Sequence, residues 1–159
     1  MPYDAAQEIL NEIWKERGLP VDPVWIAGQL GMRVVEMDLP DEVSGALIKE
    51  TGKDPLIALS SSDSKNRKRF TCAHEIGHYI NRKRNNNENY EYVDLRSAMS
   101  SKGQDPEEIY ANRFAAQLLM PHAIVKELHE QGLHSIGMAS RFGVSDEAMN
   151  HRLYSLKLK

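Results

Sequence analysis

Two histidines four residues apart, with a glutamate directly after the first, stand in RFTCAHEIGHYINR (residues 69–82), and they limit what the rest of the chain can fold into. On a helix, His74 and His78 project from one face a turn apart, so two imidazole nitrogens can reach one ion at about 2.0–2.1 Å. Glu75 sits about 100° round the helix from His74, poorly set to join them as a ligand and well set to reach a water on the ion. It is therefore the candidate general base for hydrolysis. The competing reading is a helix whose histidines are exposed or bonded to carbonyls. A third ligand separates the two.

Cys72, the only cysteine, lies two residues from His74 and points to nearly the opposite side of the helix. It reads as a small buried packing residue, and its solitude excludes an intramolecular disulfide and a thiolate cage. A better third ligand lies in DPEEIYANRFAAQLLMP, residues 105–121, where Glu108 is followed four residues later by Asn112 on the same helical face. A carboxylate completes a His, His, Glu set, and Asn112 is spaced to accept the other N–H of a ligand histidine. Glu107 is the neighbouring competitor. Asp105 to Glu108 also has the spacing of a capping box, in which the glutamate would only bond an amide. Ala111 and Ala115 on this face allow a close approach to the motif helix, whereas Phe114 and Leu118 are expected to turn to another part of the core.

With 159 residues the expectation is a single domain over 1–159. The N-terminus lacks a basic leader and an apolar signal-like block, and no apolar run has transmembrane length, which points to the cytoplasm and away from the membrane. A net charge of −3 argues against wrapping nucleic acid by bulk electrostatics. The fold expected is α+β, a small three- to four-stranded sheet packed on helices. An apolar stripe through Ala6, Ile9, Leu10, Ile13 and Trp14 predicts one helix, and Asp22-Pro23 opens a short second helix ending near Gly31. MRVVEMD, SGALIKE and PLIALSS predict strands, the last two joined by a TGKD turn, and fold analogy alone puts PLIALSS at an edge. The motif helix spans Ser64 to about Arg84. Residues 84–105 read as a mobile polar connection, with room for a short strand at YEYVDLR. A helix near 121–131 follows, and residues 134–159 then form a C-terminal helix-turn-helix-like pair in which Ser145 is the second N-cap and Met149, Leu153 and Leu156 are buried.

RFTCAHEIGHYI followed by EIYANRFAAQLLMP closely resembles the ImmA/IrrE family of zinc metallopeptidases. The similarity extends through IAGQLGMRVVEM, SGALI and PLIAL upstream and RFGVSDEAMNHRL downstream. The resemblance implies a gluzincin-like core with one Zn2+ per chain, held by His74, His78 and Glu108, and Glu75 as catalytic base. It implies a zinc-dependent endopeptidase that cleaves or inactivates a helix-turn-helix repressor of a phage, mobile element or stress regulon. The alternative is a non-catalytic zinc-containing regulator that binds a repressor or DNA. Direct nucleic-acid binding is the weaker reading, because the closing helix is rich in buried-type residues. His122, Tyr90, Tyr92 and Arg113 all remain open as donors to an oxyanion, and the sequence leaves the repressor, the bond cut, the activating signal and the oligomeric state undefined.

Overall fold

The computed structural model describes residues 1–84, 89–95 and 105–158. Helix α1 (Pro2–Ile9) runs on into a π-type segment, Leu10–Trp14, which buries Leu10 and Trp14. Trp14 Nε1 donates to the Gly18 carbonyl at 2.9 Å and so closes the first turn of chain beyond the helix. Asp22 caps α2 (Pro23–Gln29), its carboxylate accepting from the amides of Val24 and Trp25.

Three strands follow, β1 (Arg33–Met37), β2 (Val43–Lys49) and β3 (Leu56–Ser60), and a fourth, β4 (Tyr90–Leu95), comes after the motif helix. The sheet order is β1-β3-β2-β4. β1 pairs parallel with β3, and β2 pairs antiparallel with both β3 and β4. The expectation that PLIALSS forms an edge is therefore overturned: β3 is interior, and the edges are β1 and β4. The run Ile57 to Ser60 is buried at every position, as suits a strand with a neighbour on each side. Residues 85–88 and 96–104, where most of the expected mobile connection falls, lie outside the described residues.

Helix α3 (Lys65–Arg84) opens with Ser64 accepting from the Arg67 amide and ends on Arg82, Lys83 and Arg84, charges that suit the negative end of its dipole. Every residue from Thr71 to His78 is buried. The sheet presses on α3 at Gly45, where an added Cβ would lie 2.5 Å from Thr71 Cγ2. Helix α4 (Pro106–Leu119), capped by Asp105, crosses the opposite side at Gly77. A Cβ on Gly77 would lie 3.1 Å from both Ala111 Cα and Phe114 Cβ. Ala111 thus meets the motif helix as expected. Phe114 does not turn elsewhere in the core: glycine opposite leaves room for its ring on α3 itself.

Helices α5 (His122–Glu130), α6 (Ser135–Phe142) and α7 (Asp146–Ser155) complete seven α-helices among the described residues. Gly143 ends α6 at φ +67°, and Ser145 caps α7 by accepting from the Ala148 amide. Met149 and Leu153 are buried, while Leu156 is only half-buried. Two arginines tie this end to the core. Arg69 of α3 donates to the carbonyls of Val21, Phe142 and Gly143, and Arg152 of α7 donates to the Met120 carbonyl and the Gln117 side chain.

Candidate metal centre

The close crossing of α3 and α4 brings Glu108 against both histidines. Glu108 Oε2 lies 2.5 Å from His78 Nε2, without hydrogen-bond geometry, and Oε1 lies 3.4 Å from His74 Nε2. Glu107, one residue earlier, turns the other way. It accepts from the Tyr92 hydroxyl at 2.7 Å and pairs with the Arg82 guanidinium at 3.1 Å. The capping-box reading of Glu108 has no support in this arrangement, since Asp105 accepts from the Glu107 amide while the Glu108 carboxylate faces the imidazoles.

His74 Nδ1 donates to Asn112 Oδ1 at 2.8 Å. That bond keeps a proton on Nδ1 and leaves Nε2 facing the cluster, where its proton would have to leave for a cation to bind. His78 is held differently: its ring stacks on Tyr92 with centroids 3.9 Å apart and planes 15° from parallel. Glu75 is fully buried beside them, and neither of its carboxylate oxygens has a hydrogen-bond partner among the described residues.

A fourth donor, which the sequence did not single out, completes the group. Asp94 of β4 is 2 % exposed, with Oδ1 3.2 Å from His74 Nε2 and 4.0 Å from His78 Nε2. One ligand atom from each of His74, His78, Asp94 and Glu108 falls within 4.8 Å of the others. The available signal was strand alternation in YEYVDLR, which puts Asp94 on the same face as Tyr90 and Tyr92. An acid in line with two half-buried aromatics shares the inward side of its strand, where a carboxylate needs a cationic partner.

The electrostatics follow from burial and close packing. Burial alone would push His74 down, but Asp94 and Glu108 against its ring raise it to about 9. Burial, with His74 close by, holds His78 low. Burial likewise raises Asp94, whereas the two histidines outweigh burial at Glu108 and hold it below the usual carboxylate range. Three buried donors and a half-buried Glu108 facing one another, with His78 Nε2 and Asp94 Oδ2 lacking a hydrogen-bond partner among the described residues, make a costly arrangement unless a cation joins them. Ligand atoms about 2 Å from a tetrahedral ion stand about 3.3 Å apart. The His74 contacts of 3.2 and 3.4 Å match that spacing and the His78 contacts of 2.5 and 4.0 Å lie on either side of it, so the four residues form a group that could hold a small metal ion.

Of the other candidate residues, Tyr92 is brought to the centre, but its hydroxyl is engaged by Glu107 and Arg82. Tyr90 packs near Tyr92 at a centroid distance of 6.2 Å. His122 instead packs edge-on against Tyr3, and Arg113 is exposed on α4. Cys72 is buried, and burial pushes its thiol up to about 12, consistent with an inert packing role.

Among solved structures, a Mycobacterium tuberculosis transcriptional regulator superposes with a TM-score of 0.64 at 16 % identity, covering 96 % of this chain and 46 % of that one. The chain thus spans less than half the length of that regulator, and at such identity the likeness speaks for the fold alone. No curated protein matches the sequence. The model of the IrrE N-terminal-like domain, peptidase M78, matches residues 27–154, a span that holds the motif helix, β4 and α4 together. With its histidines, Glu75 and Glu108 all inside that match, the chain belongs to the IrrE N-terminal-like, peptidase M78 family.

Proposed function

We propose that the protein is a zinc-dependent endopeptidase that acts on a helix-turn-helix transcriptional repressor in the cytoplasm. The observation that carries this reading is the convergence of His74, His78 and Glu108 beside a buried Glu75 whose oxygens have no hydrogen-bond partner among the described residues. Two imidazoles and a carboxylate are a donor set typical of catalytic zinc. Bound zinc supplies Lewis acidity at the scissile carbonyl and lowers the pKa of an attacking water. Glu75 would be the base, accepting a proton on its carboxylate and passing it to the leaving amine. Asn112 fixes the His74 ring, and Tyr92 fixes that of His78. The repressor as target rests on family membership. The cytoplasm accords with the finding that no described helix is long and apolar enough to cross a membrane.

One observation favours the non-catalytic alternative: Asp94 supplies a fourth protein donor, as in closed structural metal sites. DNA binding by the C-terminal pair is less favoured, because Arg152 is spent on Met120 and Gln117 and so is withheld from phosphates. Purified protein should bind about one zinc and cleave a cognate helix-turn-helix repressor. Glu75→Gln should keep the metal and lose about 10²–10⁴-fold in cleavage rate. Equal relief of repression by wild type and Glu75→Gln would sink the catalytic reading.

A further inference from the structure

Asp94 raises a question that the peptidase reading leaves open. A catalytic zinc keeps one position free of protein ligands, whereas a closed site uses four. Here the fourth donor comes from β4, whose only sheet partner among the described residues is β2. β4 lies antiparallel on β2 from Tyr90 opposite Lys49 to Asp94 opposite Gly45, in the way an extended peptide adds to an open sheet edge. The strand is held on one face only. Tyr92 stacks on His78 and Asp94 reaches the histidines, while Val93 and Leu95 point outward at 53 % and 42 % exposure. The other anchors are the Tyr92 hydroxyl with Glu107 and Arg82, the Arg82 guanidinium over the Tyr90 ring, and the Thr51 amide donating to Asn89 Oδ1 just before the strand; all of them are partly or wholly open to water.

We propose that β4 is a resident occupant of the centre: it lies along β2 as an extended substrate would, and Asp94 fills the coordination position that water or a substrate carbonyl requires. Activity then requires displacement of Asp94, and an extended segment of the protein substrate competing for the β2 edge is the means. The inference rests on the metallopeptidase reading above, but it concerns access to the ion and can fail separately. It also accounts for a buried Glu75 beside a closed donor set: both belong to one site in its latent state.

The test uses Co2+-loaded protein and acetohydroxamate, a small chelating ligand, followed by the visible spectrum of the ion. If Asp94 occupies the position nine-tenths of the time or more, acetohydroxamate should bind Asp94→Ala at least about tenfold more tightly than wild type. The isosteric Asp94→Asn should shift in the same direction by a smaller factor, which guards against a fold lost through truncation. Equal acetohydroxamate affinity in wild type and both variants overturns the latent state while leaving the peptidase reading intact. Failure of wild type and variants alike to bind Co2+ overturns both. Tighter acetohydroxamate binding in Asp94→Ala, with no repressor cleavage by any form, upholds the occupant and defeats the peptidase.

Discussion

At the junction between the core and the C-terminal helices, buried charge is met by acceptors, whereas at the metal centre buried polar atoms stand without them. Arg69 and Arg152 lie among carbonyls and an amide oxygen, and burial lowers both pKa values, that of Arg152 to about 10, without leaving either uncharged near neutrality. In the centre, both Glu75 oxygens, both His78 nitrogens and Asp94 Oδ2 lack a hydrogen-bond partner among the described residues. An unsatisfied buried polar group costs about 1–3 kcal/mol, so several together are tolerated where something else is to be bound or a proton moved. Ser44 Oγ and the Tyr110 hydroxyl are also buried without a hydrogen-bond partner among the described residues, so the centre stands apart by the clustering of several such atoms on ionisable side chains.

The comparison is sharpest if metal stabilises the fold through the centre alone. Zinc at about 1,000 times its Kd should add about 4 kcal/mol to unfolding free energy, read from denaturant midpoints with and without chelator. A midpoint indifferent to zinc would mean that the donors satisfy one another unaided. Next in size, Glu108→Gln should weaken zinc binding by about 100-fold or more, against little change for Glu107→Gln, measured by competition with a chromophoric chelator. Equal losses would make the Tyr92, Arg82 and Glu107 contacts part of the metal site. At the other region, Arg152→Met should cost about 1–3 kcal/mol of stability by stranding Met120 and Gln117 acceptors, with zinc affinity unchanged. A fall in affinity there would show that the two regions are coupled.

A further effect is protonic. In metal-free protein His74 is raised from 6.5 to about 9, so its contribution to stability is fully present below pH 6.5 and fades as pH climbs through 9. Urea midpoints of the metal-free form should fall across that window. At pH 7 zinc must displace the proton held by the His74 and Asp94 pair, and calorimetry in two buffers of different ionisation enthalpy should register its release. Zinc binding with no proton release would place the ion elsewhere.

Local patterns in the chain were sufficient for the motif helix, the Asp22, Asp105 and Ser145 caps, and the positions of His74, Glu75 and His78, since each depends on residues within a few positions of one another. Glu108 was legible with Glu107 as a rival, because neighbours on a helix differ by only about 100° in direction. Their separation came from the α3–α4 crossing, where Gly77 admits Ala111 and Phe114 and thereby sets which glutamate faces the imidazoles. β3 as an interior strand and Asp94 as a fourth donor were decided by long-range pairing: a strand does not carry in its own residues the identity of both neighbours. The sequence by itself determined the two histidines, the glutamate between them and the helix that presents all three. Only the tertiary structure decided which acids meet them, because those acids arrive from a different helix and from the far edge of the sheet.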